Sequence, residues 1–358
     1  MRVLILSPEP PARGVLHSLV ALGVEPVVAR ARGETETDGL VRYVRVVTRG
    51  HPEDPIDLRW SRKSLRTLVR DLGPALLHIV GDPWTPTAET GAAAARDLKV
   101  PYVLVGTSSI GGPKGMTARW QANRIRNGAA GLAGITKPAL DHLARDAEAG
   151  PRAVVPMPGI EIPAALPGRP SPEYPTFGVF GRLVPERGLD LLLDALSEVF
   201  GEWRVRIVGT GPSQEALEAQ AQRLGLASRL EWLGGLPRED LAAVLPTIDA
   251  IVAPSRSTPT WVEPTGAVVL EAMAHGIAPV VSRCGALPDV VADAGMVVDE
   301  DDRPALARAL QRLVEDPSRT RALGAKARER VLEAYGDGPI AERMAMLWRK
   351  AVAPQLTP

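Results

Sequence analysis

Short apolar runs alternate with amphipathic stretches along the whole chain, and this alternation limits the fold more than any other feature. In the first half the runs are RVLILS, EPVVARA, RYVRVV, ALLHIVG, YVLVGTS, AGIT and AVVPM. After the Pro-rich segment LPGRPSPEYP (166–175) they are TFGVFGRL, VRIVGTG, RLEWLGG, AIVAPS, PVVSRC and MVVD. Strands that are apolar on both faces and separated by helices are typical of parallel βαβ units. The pattern therefore predicts two doubly wound α/β domains with a Pro-rich linker between them.

The length of the chain supports the same division, because 358 residues exceed what one hydrophobic core normally supports. We expect an N-terminal domain over 1–168, a C-terminal domain over 169–338, and a helix over 339–358 that packs back toward the N-terminal domain. Its apolar stripe consists of Ile340, Met344, Met346, Leu347 and Val352. Doubly wound sheets bind ligands beyond the carboxyl ends of their strands, which predicts a site in the cleft between the two domains.

Composition argues against several classes of protein. The apolar run Val3–Leu6 is too short for a signal peptide, and no run approaches the roughly 20 residues that span a bilayer. The single cysteine, Cys284, cannot form an intramolecular disulfide and is more typical of a small buried residue than of a reactive thiol. Basic residues are not clustered with aromatic ones, so no nucleic-acid partner is indicated. We therefore expect a cytoplasmic protein.

Charge is divided unevenly between the two halves. Residues 1–170 contain 22 Lys and Arg against 16 Asp and Glu, a net +6, and the remainder contains 20 against 26, a net −6. This asymmetry indicates an anionic ligand for the N-terminal half. Five cations share an arc of about 100° on a predicted helix: Arg59, Arg62, Lys63, Arg66 and Arg70. A weak peripheral membrane contact or an anionic acceptor is one interpretation of this face. A solvated helix face is the other, and the apolar opposite side favours it.

The segment GRLVPERGLDLLLDAL carries the first binding motif. Arg182 and Arg187 flank a loop that follows a strand and leads into a helix beginning near Gly188. Two guanidinium groups in one such loop can converge on an anion outside the strand end, and a diphosphate fits that arrangement. Solvated arginines are the alternative interpretation.

The segment VEPTGAVVLEAMAHG carries the second motif, in which seven residues separate Glu263 from Glu271. Pro264 favours an extended conformation at Glu263, and a helix then opens at Gly266 and Ala267 with its first amides free to bind phosphate. We expect the two carboxylates to be spaced along an elongated ligand and to accept hydrogen bonds from its hydroxyl groups. The alternative is an unrelated pair, one on the surface and one buried.

Residues 176–352 resemble the C-terminal half of the family 4 retaining glycosyltransferases. The similarity rests on GRL, the basic residue before the glycine of RGL, VGTGP, WLGGL, APS, the Glu-x7-Glu segment and the terminal helix. That family has the GT-B fold, in which two Rossmann-like doubly wound domains face each other across a cleft. The resemblance implies that Arg182 and Arg187 hold the donor diphosphate, that Glu263 contacts the donor sugar and that Glu271 contacts the ribose.

The resemblance extends the donor-binding set beyond these four residues. The further members are Gly181, Gly209, Gly211, Leu236, Thr265, Gly266, Ala267 and Val268. Two positions depart from the family, which usually has Lys at Arg187 and Phe at Thr265. The resemblance implies a retaining transfer of a hexosyl-type sugar from a UDP- or GDP-linked donor to a hydroxyl acceptor, without a metal or other cofactor.

The resemblance also implies that the N-terminal domain binds the acceptor and the C-terminal domain binds the nucleotide sugar. The N-terminal half itself resembles the family only weakly. Where a family histidine often follows a strand, this chain reads Gly106-Thr107-Ser108-Ser109, so hydroxyl groups take that place. Asp82, in GDPW, is the nearest candidate for the base that an inverting enzyme needs. A retaining front-face reaction needs no strong protein base, because the departing phosphate accepts the acceptor's proton.

Two other functions compete with glycosyl transfer. Gly209-Thr210-Gly211-Pro212 after a strand suggests an NAD(P)-dependent oxidoreductase, although a dinucleotide motif needs glycine at Gln214. The altered N-terminal half suggests a nucleotide-sugar-binding subunit without transfer activity. Intact donor residues argue against that alternative.

Histidines and acidic residues do not form a predicted metal site. His17 lies in a helix pattern and His78 in a strand, and neither has a partner at metal-ligand spacing. The acidic run 298–302 precedes a helix and is predicted to cap it.

Overall fold

The computed structural model describes residues 1–51, 54, 57–147, 150–157, 159–166 and 174–353. The chain divides into two compact units. The first unit comprises Met1–Gly159 together with Tyr335–Pro358, and the second comprises Ile160–Ala334.

The elements are numbered in chain order. Those up to the end of the first unit's N-terminal segment are β1 (Arg2–Leu6), α1 (Arg13–Ala21), β2 (Glu25–Arg30), β3 (Glu36–Asp38), β4 (Val41–Arg45), β5 (Thr48–Arg49), β6 (Arg59–Trp60), α2 (Arg62–Leu72), β7 (Leu76–Val80), α3 (Pro86–Asp97), β8 (Tyr102–Gly106), α4 (Met116–Asn127), β9 (Gly131–Gly134), α5 (Lys137–Ala144) and β10 (Arg152–Val154).

The remaining elements are β11 (Thr176–Phe180), α6 (Leu189–Leu196), β12 (Arg204–Val208), α7 (Gln214–Arg223), β13 (Leu230–Gly234), α8 (Arg238–Val244), β14 (Ala250–Ala253), α9 (Ala267–Ala274), β15 (Ala278–Ser282), α10 (Leu287–Val291), β16 (Met296–Val298), α11 (Arg303–Glu315), α12 (Pro317–Tyr335) and α13 (Asp337–Val352). Three 3₁₀ turns accompany them, at Pro185–Arg187, Ala227–Arg229 and Leu245–Thr247.

The first unit contains an eight-stranded sheet in the order β10-β9-β8-β7-β1-β2-β4-β3. All neighbours are parallel except β3 and β4, which are antiparallel. Successive residues of β1 alternate between two cores, with Val3 and Ile5 in one and Leu4 and Leu6 in the other. Helices α1 and α13 cover the first core, and α2, α3, α4 and α5 cover the second. The sheet is therefore buried on both faces, as doubly wound sheets are.

The second unit contains a six-stranded parallel sheet in the order β13-β12-β11-β14-β15-β16. Numbered within the unit, this order is 3-2-1-4-5-6, the strand order of the Rossmann fold. The strand order reverses between β11 and β14, so the connections that follow these two strands leave the sheet in opposite directions. That position is where doubly wound sheets open a crevice for ligands.

Every apolar run that the sequence analysis named as a strand is a strand. The connection between β2 and β4 differs from the expected βαβ unit, because β3 rather than a helix links them. The segment after β2 is short and polar, ARGETETDG, and lacks the apolar stripe that a helix would bury.

The predicted basic helix is shorter than expected. Arg59 belongs to β6, and α2 begins at Arg62 after the cap Ser61, whose side chain accepts a hydrogen bond from the amide of Ser64. The placement of Arg59 on the helix was therefore wrong, because a serine cap ends the extended segment before the helix starts.

The terminal helix α13 packs against α1 and the sheet of the first unit. Its buried face includes Ile340, Met344 and Leu347, as the apolar stripe predicted, but Met346 is 55% exposed. Trp348, which was not part of the predicted stripe, is fully buried. No helix among the described residues is both long enough and apolar enough to cross a bilayer.

Candidate functional site

The two predicted binding motifs of the second unit lie at the reversal point of its sheet. One loop follows β11 and runs through the 3₁₀ turn Pro185–Arg187 into α6. The other follows β14 and ends at α9. Both loops leave the carboxyl edge of the sheet from adjacent strands, so their side chains meet at the crevice that this topology creates.

The loop after β11 packs directly on the start of the loop after β14. Gly188 has a φ of 69°, and a Cβ there would collide with the carbonyl oxygen of Pro254. Glycine thus allows a sharp entry into α6 and a close backbone approach. Because this turn is held against Pro254, Arg187 at its end is directed toward the second loop.

Arg187 and Glu263 form a hydrogen-bonded ion pair between Nη1 and Oε2, across 76 positions of sequence. Glu263 is only 6% exposed. Its other oxygen, Oε1, accepts a hydrogen bond from the amide of Gly266 at 3.2 Å. Both oxygens of the buried carboxylate therefore have partners, as a buried charge requires.

Trp261, which neither sequence motif includes, is part of this arrangement. The centre of its ring lies 5.1 Å from the guanidinium carbon of Arg187, within the range of a cation–π interaction. Arg187 is thus held by a carboxylate and an aromatic ring on the same loop. The signal was present in the sequence, since a tryptophan two residues before Glu263 stands out in a chain with few aromatic residues.

Arg182 has a different environment. Its side chain is exposed and has no ion-pair partner among the described residues. The structure therefore leaves one arginine of this loop available to an anion from solution, while the other is already held by protein groups.

The backbone of Glu263 is tied to the loop after β15. The amide of Ala286 donates to the carbonyl oxygen of Glu263 at 3.0 Å, and the amide of Glu263 lies 3.4 Å from Sγ of Cys284. Cys284 is buried, as expected, and burial raises the pKa of its thiol. This cysteine therefore packs against the backbone that positions Glu263.

The start of α9 differs in detail from the expectation of free amides at Gly266 and Ala267. The amide of Gly266 donates to Glu263, and that of Ala267 donates to Oγ1 of Thr265 at 3.3 Å. The next amides, those of Val268 and Val269, have no partner within the helix because no turn precedes them. Side chains close to the helix start thus take the two amides that the sequence suggested for phosphate.

Glu271 lies on α9 and is half-buried. Its backbone carbonyl is 2.9 Å from Nδ1 of His275. Eight positions separate it from Glu263, and the helical part of that segment begins at Ala267.

The loop after β12 packs on the loop after β11. A Cβ at Gly209 would collide with the carbonyl oxygen of Gly181, and the amide of Leu183 donates to the carbonyl of Thr210 at 3.0 Å. Gly211 lies in the same loop, and the half-buried Leu236 follows the next strand, β13. All of these positions share the carboxyl edge of the sheet.

This placement also explains the Gly-Thr-Gly turn. It follows β12, the second strand of the unit, whereas a dinucleotide fingerprint occupies the first βα turn. Close packing on Gly181 accounts for Gly209 without a bound dinucleotide. The geometry therefore disfavours the oxidoreductase alternative.

The first unit has its own polar cluster at the same edge. Asp82 follows β7, is 2% exposed, and accepts four hydrogen bonds from the loop after β8. Its donors are the amide and hydroxyl of Thr107, at 3.1 and 2.9 Å, and those of Ser108, at 3.3 and 2.6 Å. Four donors occupy the lone-pair positions of a carboxylate. Asp82 therefore holds the loop after β8 in place and has little capacity left to act as a base.

The histidines and acidic residues behave as structural groups. His78 is fully buried and accepts a hydrogen bond from Nε1 of Trp348 at 3.1 Å. Asp302 caps α11 by accepting from the amide of Ala305, which confirms the capping prediction. Within the described ranges, no group of three or more His, Cys, Asp and Glu is placed to hold a metal ion.

The basic face of α2 is partly neutralised. Arg62 forms an ion pair with Glu89, and Arg66 forms one with Asp97 at 3.2 Å. Both partners lie on α3. This pairing supports the interpretation of a solvated helix face.

Comparison with known proteins agrees with this architecture. The family model of the glycosyl transferases group 1 matches residues 168–330, and this part of the chain belongs to that family. Sucrose-phosphate synthase from Thermosynechococcus elongatus superposes with a TM-score of 0.69 at 21% identity and 99% coverage of both chains. The chain therefore has the predicted GT-B fold.

Two curated relatives each match part of this chain. One is a GDP-mannose-dependent alpha-(1-6)-phosphatidylinositol monomannoside mannosyltransferase of Mycolicibacterium smegmatis, 36% identical over 46% of this chain and 44% of that protein. The other is a D-inositol 3-phosphate glycosyltransferase of Segniliparus rotundus, 32% identical over 60% of this chain and 51% of that protein. The chain spans about half the length of these relatives.

Proposed function

We propose that the protein is a family 4 retaining glycosyltransferase that moves a hexosyl-type sugar from a UDP- or GDP-linked donor to a hydroxyl acceptor. The observation that carries this proposal is the Arg187–Glu263 pair at the reversal point of the second sheet, beside the exposed Arg182. The family of this segment and the names of its relatives support the same activity.

The second unit would hold the donor. Arg182 and Arg187 offer two guanidinium groups to the diphosphate, with the first-turn amides of α9 near Val268 as further donors. Glu263, already oriented by Gly266, would accept a hydroxyl of the sugar. Glu271 would accept a ribose hydroxyl one and a half turns into the helix. The loops that carry Gly209, Gly211 and Leu236 would then face the base.

The transfer needs no protein base to accept the proton of the acceptor hydroxyl. The acceptor oxygen bonds to the anomeric carbon as the bond from that carbon to the diphosphate breaks. The acceptor's proton passes to the departing phosphate on the same face, so the anomeric configuration is kept. Arg182 and Arg187 stabilise the charge that grows on the leaving group. The saturated carboxylate of Asp82 is consistent with a mechanism that needs no base from the first unit.

Thermal unfolding in the presence of UDP-, GDP- and ADP-sugars tests donor binding, because a ligand that binds only the folded state raises the unfolding temperature. The stabilising donor is then incubated with hydroxyl acceptors, and NMR of the product gives its anomeric configuration. We expect an α-linked product from an α-linked donor. A β-linked product would contradict retention, and donor binding with neither transfer nor hydrolysis would identify a binding subunit instead.

A further inference from the structure

The first unit contains a long stretch of one charge sign. Residues 98–140 include six Lys and Arg and no Asp or Glu. Helix α4 and the loop before it lie in the middle of this stretch. Three of its cations, Lys114, Arg119 and Arg124, are exposed and have no ion-pair partner among the described residues. The positive charge there is therefore not neutralised by the protein, in contrast to α2.

The same helix exposes two large apolar side chains. Met116 is 86% exposed and Trp120 is 64% exposed. The other six tryptophans of the chain are buried or half-buried, so Trp120 is the one that the fold leaves in solvent. The guanidinium carbon of Arg124 lies 5.5 Å from the centre of its ring.

These side chains form one surface. Helix α4 buries Ala122 and Ile125 against the core, and Met116 and Trp120, four residues apart, lie on the opposite side. Arg119 and Arg124 flank them at 100° per residue. We call the surface of Lys114, Met116, Arg119, Trp120 and Arg124 the α4 patch. Exposed aromatic and aliphatic groups flanked by cations are the features of a surface that lies in a membrane interface.

The patch lies close to the edge of the sheet where a ligand is expected. Helix α4 begins after the loop that follows β8, and that loop contains Thr107 and Ser108, which are bound to Asp82. Parallel strands end and their helices begin at this carboxyl edge, and β8, which precedes the patch, lies next to β7 of the reversal point between β1 and β7.

We propose that the α4 patch docks the first unit on the surface of an anionic lipid bilayer. Charge complementarity selects the partner, because three unpaired cations face an anionic surface and nothing acidic lies within this part of the sequence. Trp120 and Met116 select a bilayer over a soluble anion, since an indole ring is stabilised at the boundary between headgroups and acyl chains. The surface is separate from the donor-binding residues, so the proposal stands independently of the donor.

Co-sedimentation of the full chain with vesicles tests this surface. One set of vesicles is equimolar phosphatidylcholine and phosphatidylglycerol, and the other is phosphatidylcholine alone. We expect binding to the anionic vesicles that weakens as salt rises. Arg119→Gln with Arg124→Gln should weaken partitioning roughly 30-fold, because each cation near an anionic surface contributes about 1 kcal/mol. Met116→Ser with Trp120→Ser should also reduce it.

Matched controls separate the patch from general charge and exposure. Lys63→Gln with Arg70→Gln removes two exposed cations from α2, and Phe200→Ser removes an aromatic side chain that is 80% exposed in the second unit. Both controls should bind vesicles as the wild type does. Circular dichroism and thermal unfolding check that each variant is folded.

Three results would overturn the proposal. They are equal binding to neutral and anionic vesicles, an equal loss in the α2 control, and vesicle binding that a single-stranded oligonucleotide or glycerol 1-phosphate abolishes at low millimolar concentration. Thermal stabilisation by the donor, measured without vesicles, is expected in all variants. A failure of vesicle binding is therefore distinguishable from a failure of the proposed function.

Discussion

At the residue scale, the site depends on how the chain satisfies one buried carboxylate. Glu263 has its side chain 7% exposed and is matched by Arg187, 30% exposed, together with the amide of Gly266. Removing one partner of a buried ion pair leaves the other charge uncompensated and destabilises the fold. Glu263 and Arg187 therefore serve both the fold and the proposed donor, whereas Arg182 has no such structural partner.

We predict that Arg182→Ala lowers the rate of sugar transfer without lowering stability. Loss of one charge-assisted contact to the leaving diphosphate should raise the barrier by roughly 2 to 4 kcal/mol, which is about 30- to 1000-fold in kcat/KM. Arg308→Ala removes another exposed arginine of the second unit, on α11, and should change neither quantity. A wild-type kcat/KM in Arg182→Ala would show that Arg182 does not contact the donor.

At the scale of elements, Asp82 connects two loops at the edge of the first sheet. The loops follow β7 and β8, and four hydrogen bonds join them. Asp82 acts through Thr107 and Ser108 and is a positioning residue in the proposed acceptor unit.

We predict that Asp82→Asn raises KM for the acceptor at least several-fold while donor binding stays unchanged. The amide nitrogen of Asn cannot accept hydrogen bonds, so it leaves some donors of Thr107 and Ser108 without a partner. Donor-induced thermal stabilisation reports on the second unit and should match the wild type. Loss of kcat with unchanged acceptor KM would instead indicate direct participation of Asp82 in the chemistry.

The joint between α13 and the first sheet is a second feature at this scale. Trp348 donates to Nδ1 of His78, so Nε2 carries the proton, and Nε2 has no partner among the described residues. Burial lowers the pKa of His78 from 6.5 to about 3. The terminal helix thus packs on a histidine that is kept neutral.

We predict that His78→Gln reduces the loss of stability in mild acid. Between pH 6.5 and pH 3 the unfolded chain binds a proton at His78 that the folded chain does not. The free energy of unfolding is therefore unaffected by this group above pH 6.5 and decreases as the pH is lowered from 6.5 toward 3. From pH 7 to pH 5 the wild type should lose about 2 kcal/mol more of its unfolding free energy than the variant. Urea unfolding at both pH values measures the difference.

A matched control is the exposed histidine His51, since His51→Gln should leave the acid-dependent loss as it is in the wild type. Equal losses in the wild type and His78→Gln would contradict the assignment of a neutral buried imidazole.

At the scale of the whole molecule, the two units repeat one strand order but place different chemistry at the reversal point. In the first sheet the strands β4-β2-β1-β7-β8-β9 follow the same 3-2-1-4-5-6 order as the second sheet. The first unit places a saturated carboxylate and hydroxyl groups at its edge, and the second places arginines and the start of a helix there. The second edge is therefore the one suited to a diphosphate.

We predict that transfer does not require a divalent cation. Arg182, Arg187 and the amides at the start of α9 provide a positive field at the site proposed for the leaving diphosphate, which is the role a metal ion plays in other transferases. Initial rates in excess EDTA should equal those without it. A loss of rate that Mg²⁺ or Mn²⁺ restores would contradict the prediction.

Local pattern was sufficient to predict most strands of this fold. Each strand named from its apolar run is present, as are the cap at Asp302 and the helix that opens after Gly266. Burial on both faces of a parallel sheet imposes a composition that a few consecutive residues already display. Where a segment had no such composition, as between β2 and β4, the prediction failed.

The pairing of distant residues depended on how the loops pack at the sheet edges. Sequence spacing contained no sign that Arg187 and Glu263 pair over 76 positions, or that Trp348 and His78 pair over 270. Gly266 and Ala267 have the composition of a phosphate-binding helix start, yet their amides are taken by neighbouring side chains. Residue types and strand ends indicate which edge of a sheet carries chemistry. Which groups are free there is set by contacts between loops that the chain brings together only when it folds.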